Sequence, residues 1–100
     1  MELSTIIDGT KAIIAVGGKL TVATAPDLEG AVNGLADGIN DIDFDIARLE
    51  YISSAGLRVL VGTQKLTTRR GGTMRILHPS DDVMEIFEMT GLSDIMVIER

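Results

Sequence analysis

The sequence contains no cysteine and few aromatic residues, and its acidic residues outnumber its basic ones. Zero cysteines exclude disulfides, thiol nucleophiles and thiolate metal sites, and they suit a reducing compartment. Aromatic residues make up 3% of the chain, too few to stack on nucleic-acid bases. The formal net charge of −6 opposes binding to nucleic acid or to an anionic membrane surface. The expected partner is therefore a protein or a small molecule.

Long apolar runs are also missing. No window approaches the roughly 20 uninterrupted apolar residues of a membrane span. The first residues have neither the basic nor the apolar region of a secretory signal, so we expect a cytoplasmic protein. Hydrophobic residues make up 45% and charged residues 24% of the 100 positions, proportions typical of a globular protein. We predict a single domain over residues 1–100.

The first third of the chain has the pattern of a β-hairpin followed by a helix. The β-prone runs Leu3–Ile7 and Lys11–Val16 flank Asp8-Gly9-Thr10, and Asp-Gly between two strands indicates a tight turn. The segment Thr24-Ala-Pro-Asp27 combines a capping hydroxyl with an early proline, which predicts the start of a helix. Three glycines weaken this helix and are expected to allow close approach of a neighbouring backbone: Gly30, Gly34 and Gly38.

The segment from Asp41 to Ile46 alternates strictly between acidic and apolar residues. This pattern predicts a strand with one face in the core and the other in water. A metal site formed by Asp41, Asp43 and Asp45 is the alternative. Alternate strand residues, however, project in parallel and lie roughly 7 Å apart, so they do not converge on one ion. We therefore predict a solvated sheet face and no metal.

From residue 41 onward the periodicity predicts the order β-α-β-α-β. Connections of this kind are right-handed and join parallel strands. The predicted fold is α/β, with a mixed, mostly parallel sheet opened by the hairpin and helices mainly on one face. The predicted elements after the first strand are a helix from the paired serines to Arg70, a strand over 73–77, a helix capped by Ser80 and a strand over 95–98. Four methionines fall at inward positions and are expected to fill the core: Met74, Met84, Met89 and Met96.

Two serines, Ser53 and Ser54, lie side by side where an apolar run meets the predicted long helix. Serine is a preferred N-cap, and one hydroxyl is enough to satisfy an orphan N–H group, for about 1 kcal/mol. The other serine has the small neighbours Ala55 and Gly56 and lies at the positive end of the helix dipole, which favours an anion such as phosphate. From the residues alone, a cap without further function and a phosphorylation site both remain open.

A serine hydrolase is a third interpretation of the same turn. It would make Ser54 the nucleophile and His78, the only histidine, the base. The nucleophile-elbow pattern Gly-x-Ser-x-Gly is absent, because position 52 is isoleucine. A lone histidine beside Pro79 is more often a loop residue than a base. We therefore predict no catalytic residues, no cofactor and no enzymatic activity.

The segment Asp45–Leu57 resembles the signature of the STAS domain family of bacterial anti-sigma factor antagonists. In that signature an apolar strand ending in an Asp-aliphatic pair leads into a serine-rich turn that ends in Gly-Leu. The segment Gly18–Leu28 resembles the family's Gly-Glu-Leu-Asp segment, and Gly71–Arg75 and Phe87–Leu92 match its later landmarks. The resemblance therefore covers nearly the whole chain.

This resemblance implies both a function and a modified residue. Members of the family bind a serine kinase that is also an anti-sigma factor, and the kinase phosphorylates the serine that corresponds to Ser54. The chain is thus expected to be an antagonist that binds the kinase while Ser54 is free, with a serine phosphatase as a further partner. The alternative is a constitutive STAS scaffold or small-ligand-binding module in which Ser54 is only a helix cap.

The expected kinase-binding surface surrounds the serine turn, because the ends of parallel strands converge there. Its predicted residues come from the preceding loop, the turn and the first helical turn: Thr21, Val22, Ser53, Ser54, Ala55, Gly56 and Arg58. Two of these positions depart from the family pattern. Thr21 and Ser53 stand where acidic residues are common, so two negative charges near the site are missing.

Overall fold

Six β-strands and three α-helices make up the chain in a computed structural model that describes residues 1–100. The strands are β1 (Glu2–Asp8), β2 (Lys11–Leu20), β3 (Asp41–Asp45), β4 (Leu49–Ile52), β5 (Met74–Leu77) and β6 (Val97–Glu99). The helices are α1 (Ala25–Asn33), α2 (Ser54–Arg69) and α3 (Asp81–Met89), and a 3₁₀ turn over Leu92–Asp94 precedes β6. None of these helices combines the length and the hydrophobicity that crossing a bilayer requires.

The strands form one mixed sheet. β1 and β2 are an antiparallel hairpin whose turn contains Gly9 at φ +63°, a conformation that glycine adopts without strain. The sheet order is β1-β2-β3-β5-β6, and every pair after the hairpin is parallel. The predicted α/β fold, with an opening hairpin and a mostly parallel sheet, is confirmed.

Strand β4 is an element that the sequence pattern did not distinguish from its surroundings. It pairs in parallel with the end of β2, and the register shifts between Gly18 and Lys19. Gly18 has φ +79°, which only glycine adopts readily. This irregularity lies where β2 leaves its pairing with β3 and begins its pairing with β4. The prediction of one strand between residue 41 and the serines is therefore corrected to two.

The helices pack mainly on one face of the sheet, as predicted, and the core lies between the two layers. Alternate residues of the central strands point toward the helices and are buried, including Ala12, Ile14, Ile42, Phe44 and Ile76. The helices contribute buried side chains to the same cluster: Leu28, Val32, Val59, Leu60, Val83 and Phe87. The layered packing is what places the start of α2 beside the ends of β2 and β4.

One methionine does not lie where the periodicity placed it. Met74 and Met96 are buried and Met84 is partly buried, but Met89 is 79% exposed. Met89 follows the buried Phe87 by two residues, which is about 200° around the helix. Its side chain therefore points away from the core, and the prediction for this residue is wrong.

The glycines of the first helical segment also differ from expectation. α1 ends at Asn33, so Gly34 is its C-cap and Gly38 lies outside it. A Cβ atom at Gly30 or Gly38 would meet nothing within 4 Å, so these positions do not mark a close backbone approach. Such an approach occurs instead at Gly72, where a Cβ atom would lie 1.9 Å from the carbonyl oxygen of Asn40.

The sheet face opposite the helices carries an ion-pair cluster. Asp43 is only 2% exposed, and its carboxylate accepts hydrogen bonds from Nε and Nη2 of Arg75 at 3.0 and 2.5 Å. Lys11 Nζ lies 3.6 Å from the same carboxylate, and Glu99 pairs with Arg75 at 2.7 Å. The prediction of a solvated carboxylate at this position is wrong, because cations from the neighbouring strands cover it.

The two flanking acids have partners of their own. Asp41 accepts a hydrogen bond from the Thr73 N–H at 2.8 Å, and Asp45 accepts one from the Ala47 N–H at 3.1 Å. Both lie at the ends of β3, where they satisfy backbone donors of the adjoining loops. The three acids of the strand therefore have three separate sets of partners.

Candidate functional site at the start of helix α2

The paired serines have different positions at the start of α2. Ser53 is the N-cap, with extended backbone at φ −88° and ψ 171°, and its Oγ accepts a hydrogen bond from the Gly56 N–H at 3.3 Å. Ser54 is the first helical residue, is exposed, and forms no side-chain hydrogen bond within the protein. Capping therefore uses Ser53 alone, and the hydroxyl of Ser54 remains free.

The loop that precedes α1 lies beside this turn, because β4 pairs with the end of β2. The Ser53 N–H donates to the carbonyl oxygen of Leu20 at 2.8 Å, immediately before the loop begins. Inside the loop, the Thr21 N–H donates to Oγ1 of Thr24 at 2.8 Å. Val22 lies at its outer side and is 75% exposed. The topology thus brings Thr21 and Val22 to the serine turn.

Thr24 does not cap α1, contrary to the prediction from its position before Ala25-Pro26. Its backbone is helical, at φ −102° and ψ −16°, and its side chain makes no cap hydrogen bond. The hydroxyl instead donates to the carbonyl oxygen of Lys19 at 3.1 Å while it accepts from Thr21. The hydrogen bonds of the Thr24 side chain therefore stabilise the loop that contains Val22.

A shallow surface depression of about 150 Å³ connects this loop to the outer face of α2. Its lining residues are Val22, Ala25, Pro26, Glu29, Ala55, Arg58 and Val59. We call it the α1–α2 depression. It is smaller than the roughly 300–1,000 Å³ of typical small-molecule sites, so it suits a side chain of a protein partner better than a cofactor.

The contribution of α1 to this depression was not predicted. Ala25 and Glu29 are one helical turn apart and therefore share a face of α1, and that much is visible in the sequence. The contact between that face and α2 is tertiary, and no local pattern encodes it. Glu29 thus joins Arg58 as a charged residue of the depression.

Gly56 was expected on the partner-binding surface, but it is buried. A Cβ atom here would lie 2.7 Å from Cγ of Leu20 and 2.9 Å from Cγ1 of Ile52. The absent side chain lets the start of α2 pack directly on the ends of β2 and β4. Gly56 therefore positions the serine turn and is not available for contact with a partner.

Replacing Gly56 with alanine is expected to lower the free energy of unfolding by about 1 kcal/mol, because overpacking outweighs the gain in helix propensity. Gly62→Ala is the matched control. Gly62 lies inside the same helix, and a Cβ atom there meets nothing within 4 Å, so this variant is expected to gain up to about 1 kcal/mol. Urea unfolding curves of both variants check the pair. Equal effects would contradict the packing role of Gly56.

The fold and the turn together define a class of protein: a single α/β domain whose exposed, unbonded serine lies at a strand-to-helix junction. The model of the STAS domain family matches residues 3–100. The chain belongs to the STAS domain family, and the resemblance that its sequence motifs indicated is confirmed.

Individual relatives agree with this assignment. The chain is 38% identical over 88 residues to the anti-sigma-B factor antagonist of Staphylococcus aureus (strain NCTC 8325 / PS 47), a match that covers 87% of this chain and 82% of the relative. A putative anti-sigma factor antagonist from Thermotoga maritima has a similar structure, with a TM-score of 0.87 and 22% identity over 98% of this chain and 86% of that one. The structure of the Bacillus cell fate determinant SpoIIAA in its phosphorylated form is also similar, with a TM-score of 0.77 and 17% identity. This match covers 97% of this chain and 90% of that one. The two structural matches establish the fold.

Proposed function

We propose that this protein is a phosphorylation-switched anti-sigma factor antagonist. With Ser54 free, it binds an anti-sigma factor serine kinase and thereby frees a sigma factor; with Ser54 phosphorylated, it releases the kinase. The observation that carries the proposal is the division of roles between the serines, since Ser53 alone caps α2 and the hydroxyl of Ser54 is exposed and unbonded. The similarity to a staphylococcal anti-sigma-B factor antagonist supports the role, and a phosphorylated form of the similar SpoIIAA supports the modification.

The kinase-binding surface that we propose consists of the exposed residues Val22, Ser54 and Arg58 and the half-buried residues Thr21, Ser53 and Ala55. Val22 supplies an apolar side chain whose burial in a complex contributes about 1–2 kcal/mol. The small side chain of Ala55 allows a partner to approach the helix closely. Arg58 adds positive charge at the edge of the same depression. These features combine an apolar anchor with a polar rim, as is usual in protein interfaces.

The start of α2 can accept a phosphate without unfolding. Ser54 is at the first helical position, where backbone N–H groups and the positive end of the helix dipole stabilise negative charge by a few tenths to about 1 kcal/mol. A phosphate brings roughly −1.5 to −2 charges at pH 7. The effect of phosphorylation is therefore expected in the complex with the kinase and not in the stability of the domain.

The switch implies further conditions in the cell. A serine phosphatase is needed to restore the free hydroxyl of Ser54 and so to reset the protein. The kinase and its ATP are cytoplasmic partners, and a chain with zero cysteines suits that compartment. The protein itself acts by binding, and the proposal assigns it no catalytic residue, cofactor, nucleic acid or membrane partner.

Incubation with the anti-sigma factor kinase of the same organism and ATP tests the proposal directly. Mass spectrometry is expected to place one phosphate on Ser54 in the wild type and in Ser53→Ala. The Ser54→Ala variant is expected to remain unmodified and to keep binding the kinase when ATP is present. Ser53→Ala is the matched control, measured well below its melting temperature because loss of the cap costs about 1 kcal/mol. Phosphate on Ser53, or binding that ATP does not change in the wild type, would contradict the proposal.

A further inference from the structure

Arg58 lies one helical turn beyond Ser54 and has no carboxylate within ion-pair distance. Three other arginines of the chain do have such partners: Arg70, Arg75 and Arg100. Arg58 is exposed, and although it lines the same depression as Glu29, no ion pair joins them. Its guanidinium is therefore free to take a new anionic partner.

The geometry of the helix directs this side chain toward the modified serine. Residues i and i+4 of a helix share one face, with Cβ atoms about 5–6 Å apart. Helical side chains also lean toward the N-terminus, so a side chain at position 58 is able to reach back along α2 to a group on Ser54. The guanidinium fork matches two phosphate oxygens at once, which makes arginine the best side chain for this contact.

We propose that Arg58 binds the phosphate of phosphorylated Ser54 and that its positive charge is thereby withdrawn from the kinase-binding surface. The inference rests on the proposed function and deepens it by naming a positioning residue for the modified state. In the unmodified protein Arg58 presents its charge beside Val22 and Glu29. After phosphorylation the dianion on the same helix face attracts the guanidinium more strongly than Glu29 does, because it carries more charge and has a better geometry for guanidinium. One modification thus changes two residues of the surface.

The contact can be measured without the kinase in full-length protein that carries phosphoserine at position 54, installed during translation at an amber codon. Phosphorus-31 NMR at increasing pH gives the pKa of the second phosphate ionisation. Because Arg58 favours the dianion, Arg58→Gln is expected to raise that pKa by about 0.4, the equivalent of an exposed ion pair. Arg58→Lys is expected to restore part of the difference, and high salt is expected to reduce it.

Three further variants distinguish the effect of Arg58 on the pKa of the phosphate from the effect of the general surface charge. Arg69→Gln is the matched control, because it removes the same charge from the same helix about 16 Å farther along the axis, beyond the Debye length at 0.1 M salt. Lys19 precedes Leu20, whose carbonyl oxygen accepts from the Ser53 N–H, and Glu29 lines the α1–α2 depression with Arg58, so Lys19→Gln and Glu29→Gln complete the set. Both are expected to change the pKa of the phosphate less than Arg58→Gln does.

An unchanged pKa in Arg58→Gln, or an equal rise in Arg69→Gln or Lys19→Gln, would overturn the inference. This result is independent of the proposed function. If the pKa of the phosphate does not depend on Arg58, the proposed kinase switch at Ser54 is unaffected. Conversely, a kinase that fails to modify Ser54 would leave the measured contact between Arg58 and the installed phosphate unaffected.

Discussion

The Ser54→Asp variant is expected to bind the anti-sigma factor kinase about a thousandfold more weakly than the wild type while it folds normally. In the free protein, the new carboxylate lies at the positive end of α2, which tolerates it. In the complex, the same charge is buried against a kinase surface that is complementary to a neutral hydroxyl. Removing from water a charge that the kinase surface does not pair costs several kcal/mol, and about 4 kcal/mol corresponds to the thousandfold loss.

Isothermal titration with the kinase and thermal melts of the free variants check this expectation. Ser54→Asn is the matched control, because asparagine has nearly the shape of aspartate and no charge. It is expected to keep its affinity within about tenfold of the wild type, since it changes shape but adds no charge to desolvate. If Ser54→Asp unfolds, or binds as tightly as the wild type, the switch mechanism is wrong. A constitutive STAS scaffold or ligand-binding module is then the better interpretation.

Local rules were sufficient for the parts of the structure that short segments determine. The Asp-Gly turn predicted the opening hairpin, and Ser80 marked the start of α3, where its Oγ accepts from the Val83 N–H at 3.2 Å. The paired serines predicted that one cap would leave one hydroxyl free. Each of these features depends on residues within a few positions of one another, and the sequence displays them directly.

Features that depend on distant residues could not be predicted in this way. Asp43 is buried because Arg75, 32 positions away, bonds to it from the adjacent strand. Gly56 is buried because Leu20 and Ile52 pack against it. From the sequence alone, a glycine at this position is equally typical of an exposed turn. Tertiary contacts decide both cases, and a pattern of alternating or small residues is compatible with either outcome.

Neutralising the buried carboxylate with Asp43→Asn is expected to lower the free energy of unfolding at pH 7 by about 2 kcal/mol, because charge-assisted hydrogen bonds are lost. Burial raises the pKa of Asp43, but the hydrogen bonds and charge of Arg75, together with Lys11, outweigh that effect and hold the pKa below its usual value. Arg75 is 34% exposed at its side chain, so water screens the pair and the expected loss is moderate.

The lowered pKa fixes how this contribution depends on pH. A carboxyl group with a lower pKa in the folded state stabilises the protein above its unfolded pKa of about 3.9, and the contribution disappears as the pH falls through the folded value. The difference between the wild type and Asp43→Asn is therefore expected to be full at pH 7 and to shrink below about pH 4. Urea unfolding at a series of pH values measures it.

The neighbouring acid of the same strand provides the matched control. Asp45 accepts its hydrogen bond from the Ala47 N–H, and it has no cation within ion-pair distance, so an asparagine at this position keeps the bond. Asp45→Asn is expected to change the free energy of unfolding by less than about 0.5 kcal/mol at any pH. Equal losses in the two variants, or an Asp43→Asn difference as large at pH 3 as at pH 7, would show that shape rather than charge holds the four-residue cluster of Lys11, Asp43, Arg75 and Glu99 together.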